Sequence, residues 1–318
     1  GNEKIKLLSD PWYQGNVFHQ GWSLIYENNE KDILEVLKTI THIWVSHEHP
    51  DHFSISFFKK KKEIIKSNNI KILFQETKDK RVLNFLKSLD LEVIELENRN
   101  EFIIGEKFSV KCVKFNFYDS ALLLNVDGIK VFNLNDCPLN NKKDILKFKK
   151  KFGYCDILLT QFSYAAWKGG KNNKNWRKRA ANEKLNALID QAVILNAKKV
   201  IPFASFVKFS NIRNCYLNED RNTPSSIIKQ IDDTEIDLVI LKPYEKQNLN
   251  LLSQKIDSLK FWEEKISSSD NLNLIDYENK YSIDELNNSF TKYRKRIIDK
   301  NSKFFLYIIR SIPYIEAF

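Results

Sequence analysis

Three imidazoles and a carboxylate, His47, His49, Asp51 and His52, crowd into the stretch THIWVSHEHPDHFS at 41–54, directly after an apolar run. Imidazole nitrogens bind zinc or iron well, and the carboxylate adds charge and hardness, so this spacing reads as a metal-binding loop. A strand end would deliver all of them to one place without ordering a long loop. Two ions fit better than one. His47 and His49 alternate off the strand toward a first ion, while Asp51 and His52, carried round the turn at Pro50, reach a second. The bland alternative is a solvated surface loop. It fits poorly with a chain that has only 5 histidines, of which this loop holds three and His42 just upstream is a fourth.

A two-metal site needs a bridging anion and ligands from other loops. VFNLNDC at 131–137 offers Asp136 at a strand end, where it can bridge two cations or cap a helix starting near Asn140. Asp51 and Asp136 are the candidate catalytic carboxylates. Further substrate-side candidates each have a structural alternative. Asp10 and Trp12 follow the first strand and either approach the metals from behind their ligands or begin a turn at Pro11. His19 either orients substrate or is a satisfied core histidine. Lys168, beside Gly169 and Gly170, either grips an anion or sits in a plain surface turn. Trp176, Arg177 and Asn222 complete the set.

The elements that must position these residues alternate through the first 245 residues. Strand patterns fall at 5–9, 43–46, 70–74, 91–95, 108–115, 121–126, 129–133, 157–160 and 200–203, and helical patterns at 56–67, 79–89, 141–152, 180–197 and 225–231. Asp127-Gly128 between two strands is a hairpin signal, because both residues tolerate positive φ. The pattern predicts an α/β architecture of two sheets with outer helices. After Pro243 it becomes helical: Leu252, Ile256, Leu259 and Ile266 mark one amphipathic helix. Ile283, Leu286, Phe290, Tyr293 and Ile297 mark another, opened by a Ser282–Glu285 capping box. The expected division is a domain at 1–245 and a helical extension at 246–318 that leads into a longer protein.

At 318 residues the chain can bury a large core. It has no apolar run of the roughly 20 residues needed to span a bilayer, and no signal-peptide pattern opens it, so a cytoplasmic location is expected. FFLYIIRSIPYI at 304–315 is broken by Arg310 and Pro313; it either docks on the main domain or, with the basic residues from Lys292 to Lys303, touches a membrane surface. Four widely spaced cysteines form no C-x-x-C pair and are expected to be reduced. The net charge is +10, and Lys142 to Arg179 is its most basic stretch. That segment is either a solvated basic face or a field for an anionic small-molecule substrate. Nucleic acid is not expected, since no regular aromatic interleaving accompanies it.

The H-x-H-x-D-H motif at 47–52, followed by the Asn135-Asp136-Cys137 turn, resembles the metallo-β-lactamase superfamily. SDPWYQGNVFHQGW at 9–22, NDC at 135–137, KGG at 168–170 and PFASF at 202–206 are similar to the metallo-β-lactamase-like part of CMP-N-acetylneuraminate hydroxylase and its bacterial relatives, over roughly residues 5–232. The resemblance implies an αββα sandwich with a dinuclear site at the sheet edges. It also marks two departures, because the hydrolytic members supply two later histidines and this chain has none after His52. Asn116 or Asp119 stands at the first of those places, and Ala204 or Ser205 at the second. Asp119 can replace the missing third histidine. More carboxylate and less imidazole favours iron over zinc or manganese for the two divalent ions and resembles the di-iron β-hydroxylase of chloramphenicol biosynthesis. The implied activity is a non-haem di-iron oxidoreductase acting on an anionic substrate such as a nucleotide sugar, with a separate electron-donor protein. The alternative is a metal-dependent hydrolase of a phosphodiester, ester or amide bond.

Overall fold

Alternating apolar residues at 108–126 explain how two sheets come to lie face to face. Along the strands Phe108–Phe115 and Asp119–Val126, Phe108, Val110, Cys112, Leu122 and Val126 point inward and meet Trp44, Leu73 and Leu96 of the other sheet. Val113, Ala121 and Leu123 point the other way, against helices. The period of two puts each residue on its face. The structure, a computed structural model, describes residues 4–116, 118–231, 234–269, 274–276 and 281–311.

The first sheet is parallel, with strands in the order Leu7–Ser9, His42–Val45, Lys71–Gln75 and Val93–Leu96. Helices Glu30–Thr39, Ile55–Ser67 and Arg81–Lys87 cover its outer face through Ile33, Leu37, Phe57, Phe58, Ile65, Val82 and Leu86. The second sheet runs Asp237–Leu238, Lys199–Pro202, Ile157–Thr160, Ile129–Asn135, Asp119–Val126, Phe108–Phe115 and Glu101–Gly105. Helices Lys142–Phe152, Lys174–Ile194, Pro224–Ile231 and Ile256–Ser269 pack on its outside. Trp22–Leu24 and Val207–Phe209 form a small antiparallel pair. The result is the four-layer α/β sandwich predicted from sequence.

Local chemistry sets the helix ends. Asn29, Ser54 and Asn141 are N-caps whose side chains accept from Asp32, Phe57 and Asp144 backbone N–H groups, satisfying otherwise orphaned donors. Asn141 therefore does the capping that Asp136 was an alternative for, and Asp136 is left free of that duty.

The strands Trp22–Leu24, Glu101–Gly105, Val207–Phe209 and Asp237–Leu238 and the helix Glu30–Thr39 were not anticipated; the strands are 2–5 residues long and hold too few periods to read. The Lys174–Ile194 helix starts six residues ahead of the expected 180, because its first turns are basic and polar and show no apolar period. Contacts divide the chain into two units, Gly1–Ile275 and Asp276–Phe318. Helix Ile256–Ser269, assigned from sequence to the extension beyond 245, belongs to the first: Trp262 and Ile266 enter its core, and the Trp262 indole N–H donates to Leu241 O at 2.8 Å. In the second unit, helix Ile283–Lys300 opens with the Ser282–Glu285 capping box, and helix Lys303–Ser311 follows. Residues 312–315 of the apolar stretch, Pro313 among them, lie outside the described residues. Among the described residues no helix is long and apolar enough to cross a membrane.

Candidate metal centre

The His42–Val45 strand is buried along its whole length, which fixes where its end points. Ser46 follows and is clamped by both sheets. Its carbonyl accepts from Gln75 Nε2 at 2.9 Å and from Ser120 Oγ at 2.6 Å. Its N–H and hydroxyl donate to Asp10 Oδ1 and Oδ2 at 2.7 and 2.9 Å, and Asn135 Nδ2 donates to its Oγ at 2.5 Å. Every buried polar group of this residue is used, so it forms a rigid base for the loop that follows.

On that base the imidazoles are oriented one by one. His47 Nδ1 meets Ser46 Oγ at 3.0 Å, and because that oxygen already donates to Asp10, the imidazole supplies the proton and leaves its Nε2 lone pair facing outward. His52 Nδ1 meets Asp10 Oδ2 at 3.1 Å, which frees its Nε2 in the same way. A tight turn from His49 O to the N–H groups of His52 and Phe53, at 2.9 and 2.6 Å, swings Asp51 and His52 back beside His47. Holding one ring nitrogen by a neighbour is how metal-binding histidines are fixed in orientation and tautomer.

The free atoms converge. His47 Nε2 lies 3.8 Å from Asp136 Oδ2 and 4.0 Å from Asp119 Oδ1, and 2.8 Å from His49 Nδ1. His52 Nε2 lies 3.2 Å from Asp51 Oδ2 and 3.6 Å from Asp136 Oδ2. His47, His52 and Asp136 each place a ligand atom within 4.8 Å of the others. Asp136 thus stands between the two histidines. Asp51 Oδ1 and Asp136 Oδ1 are buried and have no hydrogen-bond partner among the described residues. Such orphaned carboxylate oxygens are costly unless a cation takes them, so the residues present fit metal ions.

The electrostatics of the bare cluster carry the same strain. Burial, and then the neighbouring His52, pull the His47 imidazole down to about 4. Burial also opposes charge on His52, but the carboxylates of Asp10 and Asp51 outweigh it and hold this imidazole well above its usual value. Burial and the Asp136 charge raise Asp119.

The other expected residues separate into groups. Asp10 has a positive φ of 44° and orients His52 and Ser46 from behind. Trp12 is buried and forms a wall shared by two cavities. One, of about 190 Å³, touches Asp10, Asp51, His52, Asn135 and Ala204. The other, of about 620 Å³, holds His19, Phe18, Glu48, Pro50 and Lys60. His19 is therefore an exposed residue lining this cavity, with no contact to the metal ligands among the described residues. The His42 ring, at the start of its strand, meets Thr41 Oγ1 at 2.9 Å through Nδ1.

Arg177 and Asn222 are placed elsewhere than on a substrate face. Arg177 is 1 % exposed and spends its guanidinium on Asp220, Gly170 O and Lys171 O. Asn222 is buried and donates to Phe162 O and Ala181 O, both at 2.7 Å. Trp176 is on the surface, edge-on to Trp167 at 5.5 Å between centroids. Where the hydrolytic pattern has its last histidine, Ala204 lines the small cavity and Ser205 Oγ accepts from Phe162 and Ser163 N–H groups. Neither offers a ligand atom to the cluster.

Three residues escaped the sequence reading. Ser46 and Asn135 sit next to motif residues, and that adjacency was the only signal available. Lys184, on helix Lys174–Ile194, is part-buried, and burial pulls its ammonium below its usual range against the opposing charge of Asp136; nothing local in the sequence marks it.

No family model matches the chain. Among curated proteins, the cytidine monophosphate-N-acetylneuraminic acid hydroxylase of Mus musculus is 25 % identical over 252 residues, covering 72 % of this chain and 41 % of the relative. The Sus scrofa protein of the same name is 25 % identical over 253 residues, covering 71 % and 54 %. The chain thus spans about half or less of the relatives it matches. Among solved structures, a mutant of the CmlA β-hydroxylase aligns with a TM-score of 0.53 at 12 % identity, over 76 % of this chain and 50 % of that one. A possible metal-dependent hydrolase from Veillonella parvula aligns with a TM-score of 0.54 at 13 % identity, over 77 % and 93 %. With its sandwich of two sheets, its outer helices and its candidate His/Asp metal site at the sheet edges, this chain has the metallo-β-lactamase fold and is similar, at low identity, to the CMP-N-acetylneuraminate hydroxylases.

Proposed function

We propose that the protein is a dinuclear metal-dependent oxidoreductase of the hydroxylase type, acting on an anionic substrate such as a nucleotide sugar. His47, His49 and Asp119 would hold one ion, Asp51 and His52 the other, with Asp136 between them. The observation that carries this reading is Asp136. One of its oxygens lies within 3.8 Å of both His47 Nε2 and His52 Nε2, and the other is buried without a partner. A carboxylate so placed suits two cations.

Iron is the favoured metal, with zinc and manganese as alternatives, because oxygen donors outnumber what zinc hydrolases of this fold use. Two irons would supply the redox chemistry for activating dioxygen, with electrons from a separate donor protein. The chain's own residues then have separable tasks. Asp10 and Ser46 hold the two imidazoles in register, and Trp12 supplies an apolar wall of the small cavity beside His52. Support comes from the curated relatives, named as hydroxylases of a cytidine monophosphate sugar acid, and from the CmlA β-hydroxylase, whose fold this chain shares.

A hydrolase of a phosphodiester, ester or amide bond is the second reading, favoured by the V. parvula alignment, which covers 93 % of that chain. In that case the metals lower the pKa of a water and Asp51 orients it. Anaerobic purification with metal analysis separates the two. Two irons per chain whose spectrum changes when oxygen is admitted support the hydroxylase; zinc with phosphodiesterase turnover overturns it.

A further inference from the structure

Three consecutive residues, none of them glycine, are held in the left-handed region: Phe18, His19 and Gln20 have φ of 50°, 52° and 65°. Such backbone persists only where its surroundings impose it, and it recurs where a chain grips a ligand. Here a tight hairpin imposes it. Val17 and Trp22 exchange N–H···O bonds of 3.0 and 3.2 Å, and Gly21 N–H donates to Phe18 O at 3.0 Å. A Cβ on Gly21 would meet Phe18 O at 2.8 Å, so only glycine fits.

This hairpin lines the cavity of about 620 Å³, a volume in the range of small-molecule sites. The cavity adjoins the metal loop directly. Glu48 and Pro50, on either side of His49 in the chain, line it, and the Phe18 ring stands edge-on to the His49 imidazole with 6.2 Å between centroids. Its walls are aromatic: Trp12, Tyr13, Phe18, Phe53 and Phe57. They are also fixed in place. The Trp12 indole N–H donates to Gly15 O at 3.2 Å, Tyr13 O accepts from Asn28 Nδ2 at 3.1 Å, and Phe18 packs on Trp22 at 4.6 Å. Phe18 is nevertheless 39 % exposed, so part of its ring is open to a ligand.

The polar groups of the lining are few. Asn16 Nδ2 donates to Gln20 Oε1 at 2.9 Å, which leaves Asn16 Oδ1 as an acceptor and Gln20 Nε2 as a donor with no partner among the described residues. Glu48 is taken up by Arg81 Nη2 at 2.9 Å, and Lys61 by Glu30. Lys60 is exposed and, among the described residues, enters no ion pair. Rigid aromatic faces, one spare acceptor, one spare donor and a cation are what the base and phosphate of a nucleotide require.

We infer that this cavity binds the base of a nucleoside phosphate against Phe18, with Asn16 and Gln20 bonding to the edge of the base and Lys60 attracting the phosphate. The rest of the substrate then extends past His49 toward the metals. This assignment rests on reading the His/Asp cluster as the reactive centre, and it adds which part of the substrate lies where.

Calorimetric titration of the metal-loaded protein with adenosine, guanosine, cytidine and uridine 5′-monophosphates, and with ribose 5-phosphate, tests it. At least one nucleotide should bind about tenfold more tightly than ribose 5-phosphate, the worth of one stacking contact. Phe18→Ala should remove that preference and leave ribose 5-phosphate binding unchanged, and Phe18→Tyr, which keeps the ring, should retain it. Lys60→Gln should weaken nucleotides and ribose 5-phosphate alike, by about threefold. Metal content should match the parent in all three variants. The inference is overturned if ribose 5-phosphate binds as tightly as every nucleotide, if nothing binds, or if Phe18→Ala keeps the parent's preference. A Lys60→Gln variant with undiminished binding overturns the placement of the phosphate. A chain that takes up no metal yet shows the Phe18-dependent preference defeats the metal reading and leaves the cavity assignment standing; two bound ions with no preference for a base do the reverse.

Discussion

The buried charged clusters around Arg177 and around His47 and His52 differ in one respect. Around Arg177 the guanidinium is ringed by acceptors, Nε on Asp220, Nη1 on Gly170 O and Lys171 O and Nη2 3.6 Å from Glu219, with Tyr216 beneath it at 5.3 Å. Around His47 and His52 the back of the cluster is closed through Asp10, Ser46 and the Asn135 Nδ2 group, with Asn135 Oδ1 the exception, and the front leaves Asp51 Oδ1 and Asp136 Oδ1 without partners among the described residues. A closed network stabilises a conformation. A network closed behind and open in front holds a place for something else, which is how a chain is expected to depart from full local satisfaction at a working site.

The contrast can be broken most forcefully at Arg177. Arg177→Ala leaves the buried Asp220 carboxylate unpaired and should cost about 3–5 kcal/mol in urea denaturation. A loss below about 1 kcal/mol would mean the cluster is not the closed structural element described. Asp136→Ala should behave oppositely: metal analysis should show at least one ion lost, while the metal-free protein melts no lower than its parent, because the change removes an unsatisfied buried oxygen. Retention of two ions would refute the bridging role.

Asp10→Asn probes the back of the open cluster. It removes the anion that orients His52, and chelator competition should show metal affinity reduced about 10- to 100-fold. The smallest effect is a pH dependence of the metal-free protein. His52 is held above its usual value of 6.5, so its contribution to stability is complete below that pH and is lost as pH rises through the folded value. Asp10→Asn removes the larger part of that contribution and leaves the part from Asp51. The melting temperatures of parent and variant should therefore differ most near pH 6 and approach each other toward pH 9; a gap that widens with pH would reverse the sign of the argument.

Much of this was legible in the chain itself. The ligand types and their spacing at 47–52 required only that a strand end precede them, and the His42–Val45 strand does so. Asp136 and Asp119 were legible as carboxylates at strand ends. Arg177 and Asn222 were misplaced because sequence reports that a residue is polar, and cannot report that Asp220 or Phe162 O will meet it inside the protein. Ser46 and Asn135 were passed over for the converse reason: each acquires its importance from partners on other elements.

The amino-acid sequence by itself determined the alternating sheet faces, the Asp127-Gly128 turn, the Ser282 capping box and the supply of metal-binding side chains, since all of these depend on neighbours a few residues away. Only the tertiary structure decided that Asp10, Ser46 and Asn135 share one hydrogen-bonded knot and that Asp136 stands between two imidazoles more than 80 positions upstream. The reason is physical: periodicity and propensity act along the chain, whereas closing a polar network needs groups that only the packing of one sheet on another can bring within hydrogen-bond reach.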